Sequence, residues 1–253
     1  MNSESDAAAT PAGRSVDPVR ESQTDVVLNG IKQLITSGEL NAGSRLPVEK
    51  DLAANLGVSR GSLREGVRAL CIMGVLETRQ GDGTYVTSLD SGLLLAPMGF
   101  LVDLQTPENR FHLHAVRRVL ETEAASRAAL YIDDAALDKA GAILQSVAPL
   151  VSQPMVHQDV DHETFVEADI AFHRVIALAA QNTALAALID ALASRTARAR
   201  VWMGLQSDGQ IQRAHDEHLA ILGALRLHEP DRARLLMDHH LLNVEDFIHE
   251  RPD

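Results

Sequence analysis

The stretch from residue 43 to residue 68 reads GSRLPVEKDLAANLGVSRGSLREGVR and decides the fold of the N-terminal part of the chain. A helix is predicted after Pro47, because apolar residues follow at helical spacing and Gly57 then ends it. Ser59 can cap another helix that runs to about Met73, since its hydroxyl can accept an otherwise unpaired backbone N–H. Two helices joined by so tight a turn are typical of a helix-turn-helix.

The segments on either side complete a known arrangement. A helix is predicted from Asp25 to Ser37, and Gly74 ends the helix that Ser59 begins. Residues 75–79 and 84–86 then read as two short strands joined by a glycine-rich turn. This order of elements predicts a winged helix-turn-helix over residues 18–88: two helices, a tight turn, a third helix and a hairpin.

Three arginines lie along one face of the third predicted helix. Arg60, Arg64 and Arg68 recur every four residues, which places them in one row. The planar fork of arginine can grip a guanine edge or a phosphate with two hydrogen bonds. The alternative is that the row only solvates an exposed face. The position of this row on the third helix of a winged helix-turn-helix favours a role in DNA binding.

Charge and histidine divide the chain into two regions. The net charge is −12, yet residues 18–88 hold eight basic and eight acidic side chains, whereas residues 89–253 hold fourteen and twenty-four. All eleven histidines lie in the second region. No apolar run is long enough to span a membrane, the start lacks the pattern of a secretion signal, and a single cysteine excludes an intramolecular disulfide. We therefore expect a cytoplasmic protein with a flexible tail over residues 1–17 and two domains.

The second region is predicted to be a helical bundle over residues 108–250, reached through a connector at 89–107. It shows helical periodicity and no strand-like alternation. The predicted helices cover residues 108–131, 134–150, 163–181, 183–206, 211–227 and 231–249. The expected fold class is mainly α: an N-terminal winged helix-turn-helix and a C-terminal all-α bundle.

Four polar residues fall on apolar faces of these helices. Asp169 and His173 lie one turn apart inside an apolar stripe, and His240 is central on the last helix. His218 lies near the centre of a face formed by Leu219, Ile221, Leu222 and Leu225. Burying a bare carboxylate is costly, and imidazole and carboxylate are ligands of divalent transition metals. The residues alone leave two interpretations open: a metal site, or Asp169 hydrogen-bonded to a protonated His173.

The N-terminal motifs resemble the GntR family of bacterial regulators. The matching segments are GSRLPVEKDLA at 43–53, GVSR at 57–60, LRE at 63–65 and RQGDGTYV at 79–86. The resemblance implies DNA contacts from Lys50, Ser59, Arg60, Ser62, Arg64 and from Gln80 and Gly81 at the wing tip. Val48 stands in place of the usual capping serine, which costs about 1 kcal/mol. Lys50 stands where many members carry arginine, so we expect it to contact a phosphate and not a base.

The C-terminal motifs are similar to the FCD effector domain of the FadR subfamily. They are VRRVLE at 116–121, DIAFH at 169–173, Asn182, EHLAI at 217–221 and MDHHL at 237–241. The resemblance implies a divalent metal bound by Asp169, His173, His218 and His240; zinc is preferred, with nickel and manganese as alternatives. It also implies a small carboxylate effector neutralised by Arg117, with Arg195 and Arg198 as weaker candidates.

We therefore expect a homodimer that binds a two-fold operator in double-stranded DNA and leaves it when the effector binds. Two other functions remain open at this point. One is a metal-dependent hydrolase or lyase with a DNA-binding appendage, although no additional general base stands out, and Glu217 is only a sequence neighbour of a ligand. The other is a metalloregulator for which the ion itself is the signal. The expectation is a regulator and not an enzyme.

Overall fold

The structure, a computed structural model, describes residues 22–151, 162–193 and 209–250. These ranges hold ten helices and one hairpin, numbered here in chain order. The N-terminal elements are α1 (Gln23–Thr36), α2 (Glu49–Leu56), α3 (Arg60–Ile72), β1 (Leu76–Arg79) and β2 (Gly83–Val86). The remaining elements are α4 (Ser91–Asp103), α5 (Pro107–Tyr131), α6 (Asp134–Val151), α7 (His162–Ala179), α8 (Thr183–Leu192), α9 (Gln210–Arg226) and α10 (Pro230–Glu250).

Side-chain caps set where the first and third helices begin. The Ser22 hydroxyl accepts a hydrogen bond from the Asp25 N–H at 3.0 Å, and the Asp25 carboxylate accepts one from the Ser22 N–H. Ser59 caps α3 by accepting from the Ser62 N–H at 3.0 Å, as the sequence predicts. Val48 gives α2 no side-chain cap, so α2 depends on its packing for its position.

A glycine lets α3 lie close against α1. A Cβ on Gly66 would lie 2.4 Å from the Val27 Cγ1 atom, so the two helices pack at a distance that no larger residue permits. Around this contact Val27, Ile31, Leu63 and Leu76 are almost fully buried. The antiparallel hairpin of β1 and β2 follows α3, and a left-handed Gly81 with φ of +75° forms its turn. The predicted winged helix-turn-helix is confirmed.

The rest of the described chain is all-α, also as predicted. Helix α5 packs along α10 and against α7, and α9 packs on α6 and α10. Their shared core includes Phe172, Ile221 and Leu225, which are inaccessible to solvent. Helix α4, within the predicted connector, packs on α8. The prediction of one helix over 183–206 is corrected: α8 ends at Leu192 with Ala193 as its C-cap, and residues 194–206 lie outside the described residues.

Ion pairs fix α5 against α10. Arg118 donates to Asp238 at 2.7 Å and to Glu245 at 2.9 Å, and Arg234 donates to Glu123 at 2.7 Å. These contacts hold the two helices side by side, which matters because each carries part of the site described below. Among the described residues, every helix is too short or too polar to span a bilayer.

Candidate metal centre and DNA interface

The four predicted metal ligands meet inside the bundle. Each offers one ligand atom, and these atoms all lie within 4.8 Å of one another. Helix α7 supplies two of them, and α9 and α10 supply one each. We call this group the ligand quartet: Asp169, His173, His218 and His240.

The distances within the ligand quartet suit a single ion. The Nε2 atom of His218 lies 3.3 Å from that of His173 and 3.1 Å from that of His240. The Asp169 Oδ1 atom lies 3.5 Å from the Nε2 atoms of both His173 and His218. A tetrahedral ion with bonds of about 2.0–2.1 Å separates its ligand atoms by about 3.3–3.4 Å. These four separations, of the six within the quartet, fall around that value, and all six lie within 4.8 Å.

The hydrogen bonds of two histidines leave ring nitrogen atoms that could bind a cation. The Nδ1 atom of His173 contacts a Glu121 carboxylate oxygen, and the Nδ1 atom of His240 lies 2.8 Å from Glu217 Oε2. Because carboxylates accept hydrogen bonds, each Nδ1 carries the proton, and the Nε2 atom of a neutral ring keeps a bare lone pair. His218 can donate one Nε2 proton at most, so hydrogen bonds among the three rings cannot satisfy all three facing nitrogens. A bound cation could accept all three lone pairs.

Burial favours the metal-binding form of His240. All members of the quartet are at most 5% exposed. Burial lowers the pKa of His240, against the opposing effect of its hydrogen bond to Glu217. Neutral imidazole is the metal-binding form. The alternative of a protonated His173 hydrogen-bonded to Asp169 fits less well, because the 3.5 Å separation exceeds the usual range of 2.7–3.2 Å.

A buried chain of charged groups backs His173. Glu121 contacts the His173 Nδ1 atom with one oxygen and Arg117 Nε with the other. Arg117 is 5% exposed, and its Nη1 atom lies 3.4 Å from His114 Nε2. The sequence marks Glu121 only as part of a family motif and gives it no role. The structure makes it the partner that orients a ligand histidine.

A second carboxylate backs His240 in the same way. Glu217 accepts from the His240 Nδ1 atom with one oxygen and from Asn243 Nδ2 with the other, at 2.6 Å. The view of Glu217 as only a sequence neighbour of His218 is therefore incomplete. His215, one turn before His218, is buried but lies outside the ligand quartet, and burial lowers its pKa.

The predicted effector residue Arg117 lies beside the quartet, joined to it through Glu121. This position is compatible with the predicted contact to a carboxylate, and the contact remains a prediction. Arg195 and Arg198 lie outside the described residues.

The predicted DNA-contacting residues lie on α2, α3, the turn between them and the wing. Arg60, Arg64 and Lys50 are exposed, as are Gln80 and Gly81 at the wing tip. Ser59 uses its hydroxyl to cap α3 and lies 2.9 Å from the Ser62 hydroxyl. Their contacts with DNA remain predictions.

The residues predicted to contact DNA did not include Arg45. The backbone of Arg45 pairs with that of Tyr85 in the wing. Its guanidinium occupies the space beside Gly83, because a Cβ on Gly83 would lie 2.8 Å from Arg45 Nε. Arg45, Arg64 and Arg68 line one cleft of about 340 Å³ between α2, α3 and the wing. The second glycine of the wing turn is the sequence signal for this close approach.

Comparison with known proteins agrees with both halves of the fold. The family model described as bacterial regulatory proteins, gntR family, matches residues 23–86, and the FCD domain model matches residues 112–243. LutR of Bacillus subtilis, an HTH-type transcriptional regulator, is 31% identical over 221 residues, covering 85% of this chain and 96% of that protein. The HTH-type transcriptional repressor NanR of Escherichia coli K12 is 27% identical over 239 residues, covering 93% and 88%.

A solved structure supports the same assignment. The structure of a Streptococcus agalactiae GntR protein superposes with a TM-score of 0.62 at 25% identity, covering 88% of this chain and 99% of that one. The named relatives are transcription regulators and not enzymes. The chain belongs to the GntR family of bacterial regulatory proteins and is a DNA-binding transcription regulator with a C-terminal FCD domain.

Proposed function

We propose that this chain is a dimeric repressor of the FadR subfamily that is released from its operator by a small carboxylic acid. The acid binds next to a divalent metal held by the ligand quartet. The observation that carries this proposal is the convergence of four buried ligand atoms from three helices, all within 4.8 Å of one another. The domains follow the predicted boundaries: 18–88 reads DNA, and 108–250 binds metal and effector.

The donor set favours zinc, with nickel and manganese as alternatives. Three imidazoles of intermediate softness and one hard carboxylate suit these ions, and the set does not favour calcium or copper(I). When bound, the ion would take an effector oxygen by expanding from four ligands to five. Glu121 and Glu217 hold two of the rings so that their Nε2 atoms face the ion.

Arg117 supplies the charge that a carboxylate effector needs. Its guanidinium is buried next to the quartet and shares Glu121 with His173. A guanidinium offers five N–H donors, so it can bind an effector carboxylate while it keeps its contact with Glu121. Effector and metal are thereby linked through one chain of contacts.

A homodimer would place two copies of α3 in successive major grooves of a two-fold operator. The effector weakens DNA binding only if it binds more tightly to a conformation of the dimer in which the two α3 helices cannot enter those grooves. Such couplings amount to about 5–150-fold in affinity. We expect the effector to reduce operator affinity by an amount in that range.

Fluorescence anisotropy tests the proposal. The operator is selected from a randomised duplex pool with the full chain, and binding is titrated with hydroxy acids, keto acids and sugar acids. At least one acid should weaken operator binding more than about fivefold with zinc-loaded protein and not after chelation. His218→Ala should abolish the response. His239→Ala, which changes the exposed neighbour of a ligand, should keep it.

Two outcomes would overturn the proposal. If no acid acts and DNA affinity follows the free metal concentration instead, the ion itself is the signal. If the metal-free protein responds to an acid as strongly as the loaded protein, the ligand quartet has no part in sensing.

A further inference from the structure

A carboxylate lies in the middle of the basic surface that faces DNA. The Glu49 Oε1 atom lies 2.8 Å from the Nε atom of Arg64, and the pair joins the first residue of α2 to the fifth residue of α3. The Arg64 side chain is 65% exposed and that of Glu49 is 37% exposed. Both line the cleft that also holds Arg45 and Arg68.

Stability alone does not account for this pair. An ion pair between exposed side chains contributes little to folding, because water and salt screen it. Glu49 also lies at the positive end of α2, which lacks a side-chain cap, and a carboxylate there favours the helix. Its side chain nevertheless extends across to α3 and contacts a guanidinium. On a surface that meets phosphates, a negative charge opposes binding to DNA of any sequence.

The contact has a direct consequence for base recognition. A guanidinium reads guanine through two N–H groups aimed at the O6 and N7 atoms. The 2.8 Å ion pair keeps the Nε side of the Arg64 guanidinium beside Glu49 and so restricts the positions that its terminal nitrogens can take. Less side-chain freedom is then lost on binding than with an unrestrained arginine.

We propose that Glu49 is a positioning residue for DNA recognition: it holds Arg64 in the orientation that reads a guanine and penalises DNA that lacks one. The inference rests on the proposed contact between Arg64 and DNA. On the operator, the guanine contact offsets the repulsion between Glu49 and the phosphates. On random DNA the same repulsion acts but the guanine contact is missing; because only the operator gains from the positioned Arg64, Glu49 raises the ratio of operator affinity to random-DNA affinity.

Glu49→Gln tests both parts, because it keeps the size of the side chain and removes its charge. Affinities for the selected operator and for a scrambled duplex of equal length are measured by anisotropy with the full chain. We expect random DNA to bind about twofold more tightly and the affinity ratio to fall by up to about fivefold, which is the most that an exposed ion pair contributes. Glu49→Asp keeps the charge but shortens the reach, so the ratio should fall while random-DNA affinity stays unchanged.

Glu65→Gln is the matched control, because it removes one negative charge from an exposed residue of α3 next to Arg64. It should leave the affinity ratio unchanged. An equal fall in the ratio for Glu65→Gln, or an unchanged ratio for Glu49→Gln, would overturn the inference. Arg64→Ala then shows which part is wrong. If Arg64→Ala binds the operator like the wild type, Arg64 does not contact DNA. If Arg64→Ala binds the operator weakly, Arg64 does contact DNA and only the role of Glu49 is wrong.

A base-preference profile separates positioning from helix stabilisation. When Glu49→Gln is used to select sites from the randomised pool, the preference for one guanine in each half-site should weaken while the other positions keep theirs. A purely structural role for Glu49 predicts that all positions weaken alike, together with a lower melting temperature. That result would overturn the inference as well.

Discussion

Glu217→Gln should weaken metal binding although Glu217 is not a ligand. One oxygen of Glu217 accepts from the Nδ1 atom of His240 at 2.8 Å, and the other accepts from Asn243 at 2.6 Å. Glutamine has the same size but only one acceptor oxygen and no charge. One of the two donors must therefore face an amide N–H group, and His240 loses the anionic partner that makes its ring a stronger ligand.

The size of the effect follows from the contact. Loss of an outer partner of a metal-binding histidine typically lowers metal affinity about 10–100-fold, which is about 1.4–2.7 kcal/mol. The Glu217 side chain is 15% exposed, so water screens its charge in part. We therefore expect the lower part of that range, about 10–30-fold.

Competition with a chromophoric zinc chelator measures this affinity on the metal-free protein. Asp216→Asn is the matched control, because Asp216 precedes Glu217 on α9 and bonds Gln212 instead of a ligand histidine. Asp216→Asn should bind zinc like the wild type. A Glu217→Gln protein with zinc affinity within twofold of the wild type would refute the assignment of Glu217 to the metal centre.

Three further substitutions test other parts of the structure. Arg64→Ala should weaken operator binding about 5–150-fold and relax the base preference at one position, as anisotropy with single-base operator variants will show. Gly66→Ala should destabilise the N-terminal domain by about 1–3 kcal/mol in urea denaturation, because its Cβ would lie 2.4 Å from Val27; unchanged stability would contradict the close packing. Burial lowers the pKa of His215, so the unfolded chain takes up a proton near pH 6.5 before the folded protein does, and stability should fall as the pH decreases below that value. In chelator, His215→Gln should make the melting temperature less dependent on pH between 7 and 5; an equal pH dependence would exclude His215 as a contributor.

Helical periodicity predicted most of the fold. The spacing of apolar residues gave the helices of both regions, and the predicted range 134–150 differs from α6 by a single residue. Periodicity reports which side of a helix is apolar, but it does not fix the rotation of the helix against its neighbours. Leu219 shows the difference: the pattern places it on the inner face, whereas it is 47% exposed, and His215, placed towards the edge, is buried.

The candidate site was predicted less completely. Helical phase showed that Asp169, His173, His218 and His240 point inward, but their meeting at one point depends on contacts between helices far apart in sequence. From the sequence, only the family resemblance predicted that these four residues form one site. The roles of Glu121 and Glu217 depend on which ring nitrogen each one faces, and no local sequence pattern contains that information.

Native mass spectrometry of the full chain tests the central claim most directly. After dialysis against zinc and removal of the excess, the wild type should carry one ion per chain, and His218→Ala and His240→Ala should carry none. Full occupancy in either variant, or a wild type that retains no ion, would contradict the claim that these buried side chains form one metal centre.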